Sequence, residues 1–207
     1  MPTKIRPIVF KINIDPYNPL GLPGWTIRIK MKPGSTAPFI GGATTTAVQG
    51  QADTYDVCTE GGRGNAWNGL FSSNMSGLIE VLGANSWNSS HTTTVANLQG
   101  MFANCSSLTS VPLFDTSSVS SMNIMFAGCS SLTSVPLFDT SSVSNVGNML
   151  INCVNVESGA LALYQQMSTQ ATPPTVYGDC FKDCGSNTVS GAAELAQIPS
   201  SWGGTGV

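Results

Sequence analysis

MFANCSSLTSVPLFDTSSVS fills residues 101–120, and MFAGCSSLTSVPLFDTSSVS fills residues 125–144. The same twenty residues recur 24 positions apart with one change, Asn104 against Gly128. A period of that length marks stacked supersecondary units, each too small to bury its apolar side without a neighbour. Around the copies the same phase continues in weaker form. Val95, Val119 and Val143 are in register, as are Leu98, Met122 and Val146. Met101, Met125 and Met149 follow, then Phe102, Phe126 and Leu150, then Cys105, Cys129 and Cys153, then Leu108, Leu132 and Val156. Such columns predict one continuous core running through the stack.

Within one unit the spacing has two parts. Val119, Met122, Met125, Phe126 and Cys129 recur every three or four residues, which predicts one face of a short helix or 3₁₀ segment. Asp115, Thr116 or Ser117 stands at its N-cap position. Leu132, Val135 and Leu137 form an L-x-x-V-x-L string that predicts a short strand, with Pro112 and Pro136 removing one ladder donor per unit.

Outside the repeats, residues 1–60 read as β-rich. Ile8, Phe10, Ile12 and Ile14 alternate with polar positions, and a second strand carries Trp25, Ile27, Ile29 and Met31 on one face. Its other face holds Thr26, Arg28, Lys30 and Lys32, a basic stripe that is either a solvated face or a docking surface for an acidic partner. TYDVC at 54–58 predicts a third strand. The organisation expected is a β-rich attachment domain at 1–60, a linker at 61–69 and a solenoid at 70–207. Decay of the third copy after Cys153 suits a terminal cap. There ESGALALYQQMSTQ has helical spacing at Leu161, Tyr164 and Met167, and a last helix is expected at 191–197 with Ser190 as its cap.

Hydrophobic content of 41% argues for a packed core, while only 9% of residues are charged, against about 25% in typical domains. The surface must therefore be built from hydroxyls, amides and backbone. Residues 64–181 contain no Lys or Arg, and the net charge is −3. That balance argues against nucleic-acid binding and recruitment to anionic membranes. No apolar run is long enough to span a membrane, and the first residues alternate rather than forming a signal-peptide core. A mature N-terminus is the expectation.

The run MF-x-x-C-S-S-L-T-S-V-P-L-F-D-T-S-S-V closely resembles the BspA-like leucine-rich-repeat surface proteins over about residues 95–156. That resemblance implies bacterial surface proteins and adhesins whose repeats carry no enzymatic activity. NPLGLPGWTIRIKMKPG, the S-G-A-L-A-L-Y-Q-Q helix and A-A-E-L-A-Q-I-P-S-S-W-G-G resemble short repeat proteins of gut Bacteroidetes and their phages. Some of those look like virion fibre or tail-associated components, which assemble in the host cytoplasm and need no export signal. The fold class expected is α/β, a leucine-rich-repeat solenoid after a small β domain.

Catalytic chemistry is hard to find in the residues. His91 is the single histidine, no G-x-S-x-G elbow occurs, and GGRG at 61–64 lacks the lysine of a phosphate loop. None of the six cysteines forms C-x-x-C, so no metal is expected, and the Cys105, Cys129 and Cys153 column reads as core. Asp115 and Asp139 read as caps rather than a catalytic pair. No catalytic residue and no cofactor is therefore expected.

What remains is surface. Thr109, Ser110 and Phe114 recur as Thr133, Ser134 and Phe138, and hydroxyls flanking a ring suit a carbohydrate. The rings suit a further core column better. Trp67 and Trp87 are either ligand anchors or plugs of the stack's first end. The expected partners are other virion proteins through the N-terminal domain, host surface polysaccharide, and further copies of the chain. The functional expectation is a non-enzymatic structural or adhesive phage virion protein, with a bacterial surface adhesin as the alternative and a carbohydrate-active enzyme behind both.

Overall fold

The computed structural model describes residues 26–35, 44–58, 69–71, 75, 77–84 and 96–207. Strands β1 (Thr26–Met31), β2 (Thr44–Ala47), β3 (Thr54–Cys58) and β4 (Leu78–Ala84) form one antiparallel sheet in the order β2-β3-β1-β4. Helices α1 (Ala160–Thr169) and α2 (Val189–Leu195) lie near the C-terminus, followed by a 3₁₀ turn at Ser200–Trp202. Among the described residues no helix is long and apolar enough to cross a membrane. The expected strand over Ile8–Ile14 lies outside the described residues.

The sheet forms where β-branched residues alternate. Ile27, Ile29 and Val57 are fully buried, and Arg28 faces Asp56 directly across the β1–β3 register. β1 pairs with β4 on its other side, with register shifts at Arg28/Ile29 and Lys30/Met31. The GGATTTAVQGQAD segment, which shows no strand signal beyond its threonines, supplies β2.

Beyond the sheet the chain winds in coils stacked at the repeat spacing. Parallel bridges join Asn97 to Ser121, Ser121 to Asn145, and Asn145 to Val176. On another side of the stack a bridge joins Ser134 to Ser158, and Glu80 of β4 bridges Ser110 in the same parallel sense. β4 therefore belongs both to the sheet and to the first coil. The expected linker at 61–69 lies, apart from Gly69, outside the described residues.

Backbone donors of each coil follow a strict alternation. The N–H groups of Met122, Ile124, Phe126 and Gly128 donate to Asn145, Gly147, Met149 and Ile151 of the next coil at 2.9–3.0 Å. The N–H groups between them, at Met125, Ala127 and Cys129, donate three residues back within their own coil. The preceding coil repeats the pattern from Leu98 to Cys105, and the following one from Val146 to Cys153. This is a run of turns and not the helical segment that the three-to-four spacing predicts. A helix would turn every donor inward on itself. Left-handed residues at Gly100, Asn104, Ile124, Gly128, Asn148 and Asn152 redirect half of them to the neighbour.

The expected strand at 132–137 also shrinks, to a single bridge at Ser134. Its ladder runs Thr109 N–H to Ile79, Thr133 N–H to Thr109, and Glu157 N–H to Thr133. Pro112 and Pro136 have no N–H with which to extend it.

The predicted columns fill the interior. Phe71, Phe102 and Phe126 stack with centroids 5.3 and 5.4 Å apart and planes within 6°. Phe114 and Phe138 form a second ladder beside them at 6.0 Å. Buried aromatic pairs of this kind add about 0.5–1.5 kcal/mol each beyond the area they bury. Three thiols donate across coils: Cys105 to the Phe71 carbonyl, Cys129 to Phe102 and Cys153 to Phe126, at 3.4, 3.1 and 3.1 Å.

The C-terminal end closes the stack. Phe181 N–H donates to the Trp202 carbonyl, and Trp202 lies on Tyr177 with centroids 4.3 Å apart. The last helix begins two residues earlier than its sequence predicts, at Val189. Thr188, and not Ser190, is its cap, because the Thr188 hydroxyl accepts from Gly191 N–H at 3.0 Å. α1 has no side-chain cap of its own. Glu194 of α2 takes that role, its carboxylate accepting from the N–H groups of Gly159 and Leu161. Gly159 has φ 97°, and a Cβ there would fall 2.2 Å from the Val135 carbonyl oxygen, so the approach of α1 to the stack requires glycine.

Candidate functional site

The hydroxyls of Thr109 and Thr133 are committed to the stack. Thr109 Oγ1 donates to Ile79 O at 3.0 Å, and Thr133 Oγ1 donates to Thr109 O at 3.2 Å. Each has its proton directed along the stack, and its oxygen remains an acceptor. Ser110 Oγ donates to the Glu80 carboxylate at 3.3 Å, while Thr133 and Ser134 are exposed. The four residues thus form a row of hydroxyls repeating once per coil, with those of Thr109, Ser110 and Thr133 oriented by donation.

Phe114 and Phe138 do not belong to that surface. They are 1% and 0% exposed, so the ring-and-hydroxyl carbohydrate platform is corrected. Phe138 N–H donates back to Pro136 O at 3.0 Å, closing a tight turn centred on Leu137, and of the two side chains the ring gains most from burial. The leucines beside them face outward instead, Leu113 at 41% exposed and Leu137 at 53%.

These two leucines line a groove of about 310 Å³ with Asp139, Ser141, Gln166 and Gln170. Asp139 Oδ1 accepts from Ser141 N–H at 2.9 Å, as Asp115 Oδ1 accepts from Ser117 N–H at 3.2 Å. Both carboxylates close local turns two residues long and do not cap a helix. The wall from α1 and its C-cap is built by amides. Gln166 Nε2 donates to Phe138 O and Thr140 Oγ1, and Gln170 Nε2 donates to Thr140 O. Gln170 Oε1 accepts from Thr140 Oγ1 at 2.9 Å. One coil earlier, Thr116 Oγ1 gives the equivalent bond to Asp139 O. The glutamine amides stand where the peptide groups of a further coil would be.

The basic stripe is smaller than its sequence suggests. Arg28 Nε and Nη2 donate to the two Asp56 oxygens at 2.6 and 2.8 Å, a bidentate pair. That hydrogen bond pushes the Arg28 guanidinium further up in pKa, against the opposing effect of burial. Arg28 is thereby held against Asp56. Lys30 and Lys32 remain exposed, and neither forms an ion pair among the described residues. Trp67, Trp87 and His91 lie outside the described residues.

The thiols of Cys105 and Cys153 are pushed up to about 12 by burial, and burial raises those of Cys129, Cys180 and Cys184 as well. Neutral, enclosed thiols are poor nucleophiles and poor metal ligands. No disulfide joins any of the six cysteines. Among the described residues no group of three or more His, Cys, Asp or Glu is placed to hold a metal ion.

A family model described as "Mycoplasma protein of unknown function, DUF285" matches residues 67–172, just over half of the chain. The chain belongs to that family. The DUF285 match spans β4, the stacked coils through Cys153 and the whole of α1, including every residue of the groove. β1–β3 and α2 lie outside it. No curated protein and no solved structure matches this chain.

Proposed function

We propose that the protein is a non-enzymatic structural and adhesive component of a gut bacteriophage virion. Its stacked coils are a leucine-rich-repeat solenoid of the BspA-like kind, held through the N-terminal β region to other virion proteins and meeting host surface polysaccharide. The observation that carries this reading is the hydroxyl row of Thr109, Ser110, Thr133 and Ser134. Two hydroxyls fixed by donation into the stack present their acceptor oxygens at one-coil intervals. A face that repeats suits a ligand that repeats, and a polysaccharide supplies many weak donors in series. The absence of Lys and Arg between residues 64 and 181 favours a ligand bound by hydrogen bonds over an anion.

The M-F-x-x-C repeats favour a second reading, a bacterial cell-surface adhesin. Mass spectrometry of purified phage particles against host envelope fractions separates the two. Binding of labelled full-length protein to intact gut bacteria tests the adhesive claim common to both. Purified capsular polysaccharide is expected to compete, and Ser134→Asp to weaken binding without altering the melting profile. Lack of binding to every strain tried, or binding that polysaccharide leaves untouched, overturns the glycan reading.

A further inference from the structure

The charges of the chain are segregated. Residues 1–63 carry seven Lys and Arg against four Asp and Glu, a net of +3. Residues 64–207 carry one against seven, a net of −6. Arg28 is paired with Asp56, so the other cations of the described sheet are Lys30 in β1, opposite Glu80 of β4 but forming no ion pair with it, and Lys32 one residue past the end of β1. On the stack, Leu113 and Leu137 open an apolar groove whose rim carries the exposed carboxylate of Asp139.

We propose that this groove takes Lys30 and Lys32 from a second copy of the chain, so that copies associate head to tail. A lysine suits the site because its four-carbon stem packs on apolar surface while its ammonium reaches for charge. Here the stem lies along Leu113 and Leu137, and the ammonium meets Asp139. The cationic and anionic surfaces sit on different parts of one chain, so the contact is heterologous. Such contacts close into rings or run on as open filaments, both of which suit a particle component. The proposal is independent of what the hydroxyl row binds.

Sedimentation of the full-length chain tests it. At about 10 mM salt the screening length is about 30 Å, and at about 1 M it is about 3 Å. The wild-type chain is expected to grow in mass with concentration at low salt and to return to the 21.5 kDa monomer at high salt. The Lys30→Ser, Lys32→Ser double variant and the Asp139→Lys variant are each expected to stay monomeric. Mixed in equal amounts they are expected to form a dimer and nothing larger, since each retains the surface the other lost. Leu137→Ser keeps the Asp139 turn intact and is expected to weaken association at least tenfold, which guards against misfolding of Asp139→Lys. A wild-type chain that remains monomeric at low salt overturns the proposal, as does a mixture that stays monomeric. It is overturned equally if the wild-type chain is monomeric and Leu137→Ser alters cell binding instead, which would give the groove to the host ligand.

Discussion

Gly128 lies directly against Asn104 on the coil before it: a Cβ on Gly128 would come within 2.7 Å of the Asn104 amide oxygen. These two residues are the one difference between the twenty-residue copies, and both are left-handed, at φ 63° and 74°. Asn and Gly are the residues that adopt this conformation at least cost. The column continues at Asn152, φ 61°, so that glycine alternates with asparagine where two amide side chains would collide.

Gly128→Ala adds a left-handed cost of about 1–2 kcal/mol and the contact with Asn104. Gly128→Asn avoids the larger part of the conformational cost but keeps the contact. Urea denaturation is expected to rank wild type above Gly128→Asn and Gly128→Asn above Gly128→Ala. Asn104→Gly in the Gly128→Asn background is expected to restore part of the loss.

The ring ladders and the outward leucines predict opposite responses to truncation. Phe126→Ala opens a cavity between Phe102 and Phe138 and is expected to cost about 3–5 kcal/mol. Leu137→Ala removes a side chain more than half exposed and is expected to change stability by less than about 0.5 kcal/mol. Chemical denaturation of the two variants compares them directly.

Much of this interior was legible before any coordinates, because a strict period forces equivalent residues into equivalent places. Met101, Phe102, Cys105 and their partners at 24-residue steps are all fully buried. The local backbone was not legible, since the three-to-four spacing from Val119 to Cys129 is shared by helices and by successive turns. What decides between them is where each N–H finds its acceptor, and half of those acceptors lie on the next coil. The groove was hidden for a related reason. Its wall is Gln166 of α1 and Gln170 at the C-cap of that helix, which line the groove with Leu137 and Asp139 from a segment far away in the chain. The joining of β4 to β1 is equally non-local.

The amide arms of α1 give a further expectation. Gln166→Ala leaves the Phe138 carbonyl without the 2.6 Å donor it has, at a cost of about 1–2 kcal/mol. Gln166→Glu places a carboxylate against that carbonyl and is expected to cost more at neutral pH. Its penalty should shrink as the pH falls towards about 4 and be gone below it, because the folded acid protonates, and donates again, before the unfolded one does. Melting temperatures of both variants across pH follow this difference.

Alkaline stability should reflect the thiols. Their folded pKa values are raised by burial, and an unfolded thiol ionises near about 8.5. Below that pH the thiols are neutral in both states and their contribution is fully present. Above it the unfolded chain sheds protons that the folded chain keeps, so stability falls as pH rises towards about 12. Each buried thiol contributes about 1.4 kcal/mol per pH unit in that window. Cys129→Ala is expected to make the slope of urea stability against pH shallower by that amount, even though the variant is less stable at pH 7.

The most direct test of the coil stack is removal of one coil. Deleting residues 121–144 joins Ser120 to Asn145 and brings Asn145, Gly147, Met149 and Ile151 to the donors of Leu98, Gly100, Phe102 and Asn104. Cys153 then meets the carbonyl of Phe102. Circular dichroism melting of this 24-residue deletion is expected to show a cooperative transition, at lower temperature because one coil interface is lost. Deleting half as many residues, 121–132, breaks every ladder and is expected to abolish the transition. Loss of cooperative folding in the 24-residue deletion, or equal behaviour of the two deletions, would contradict the account.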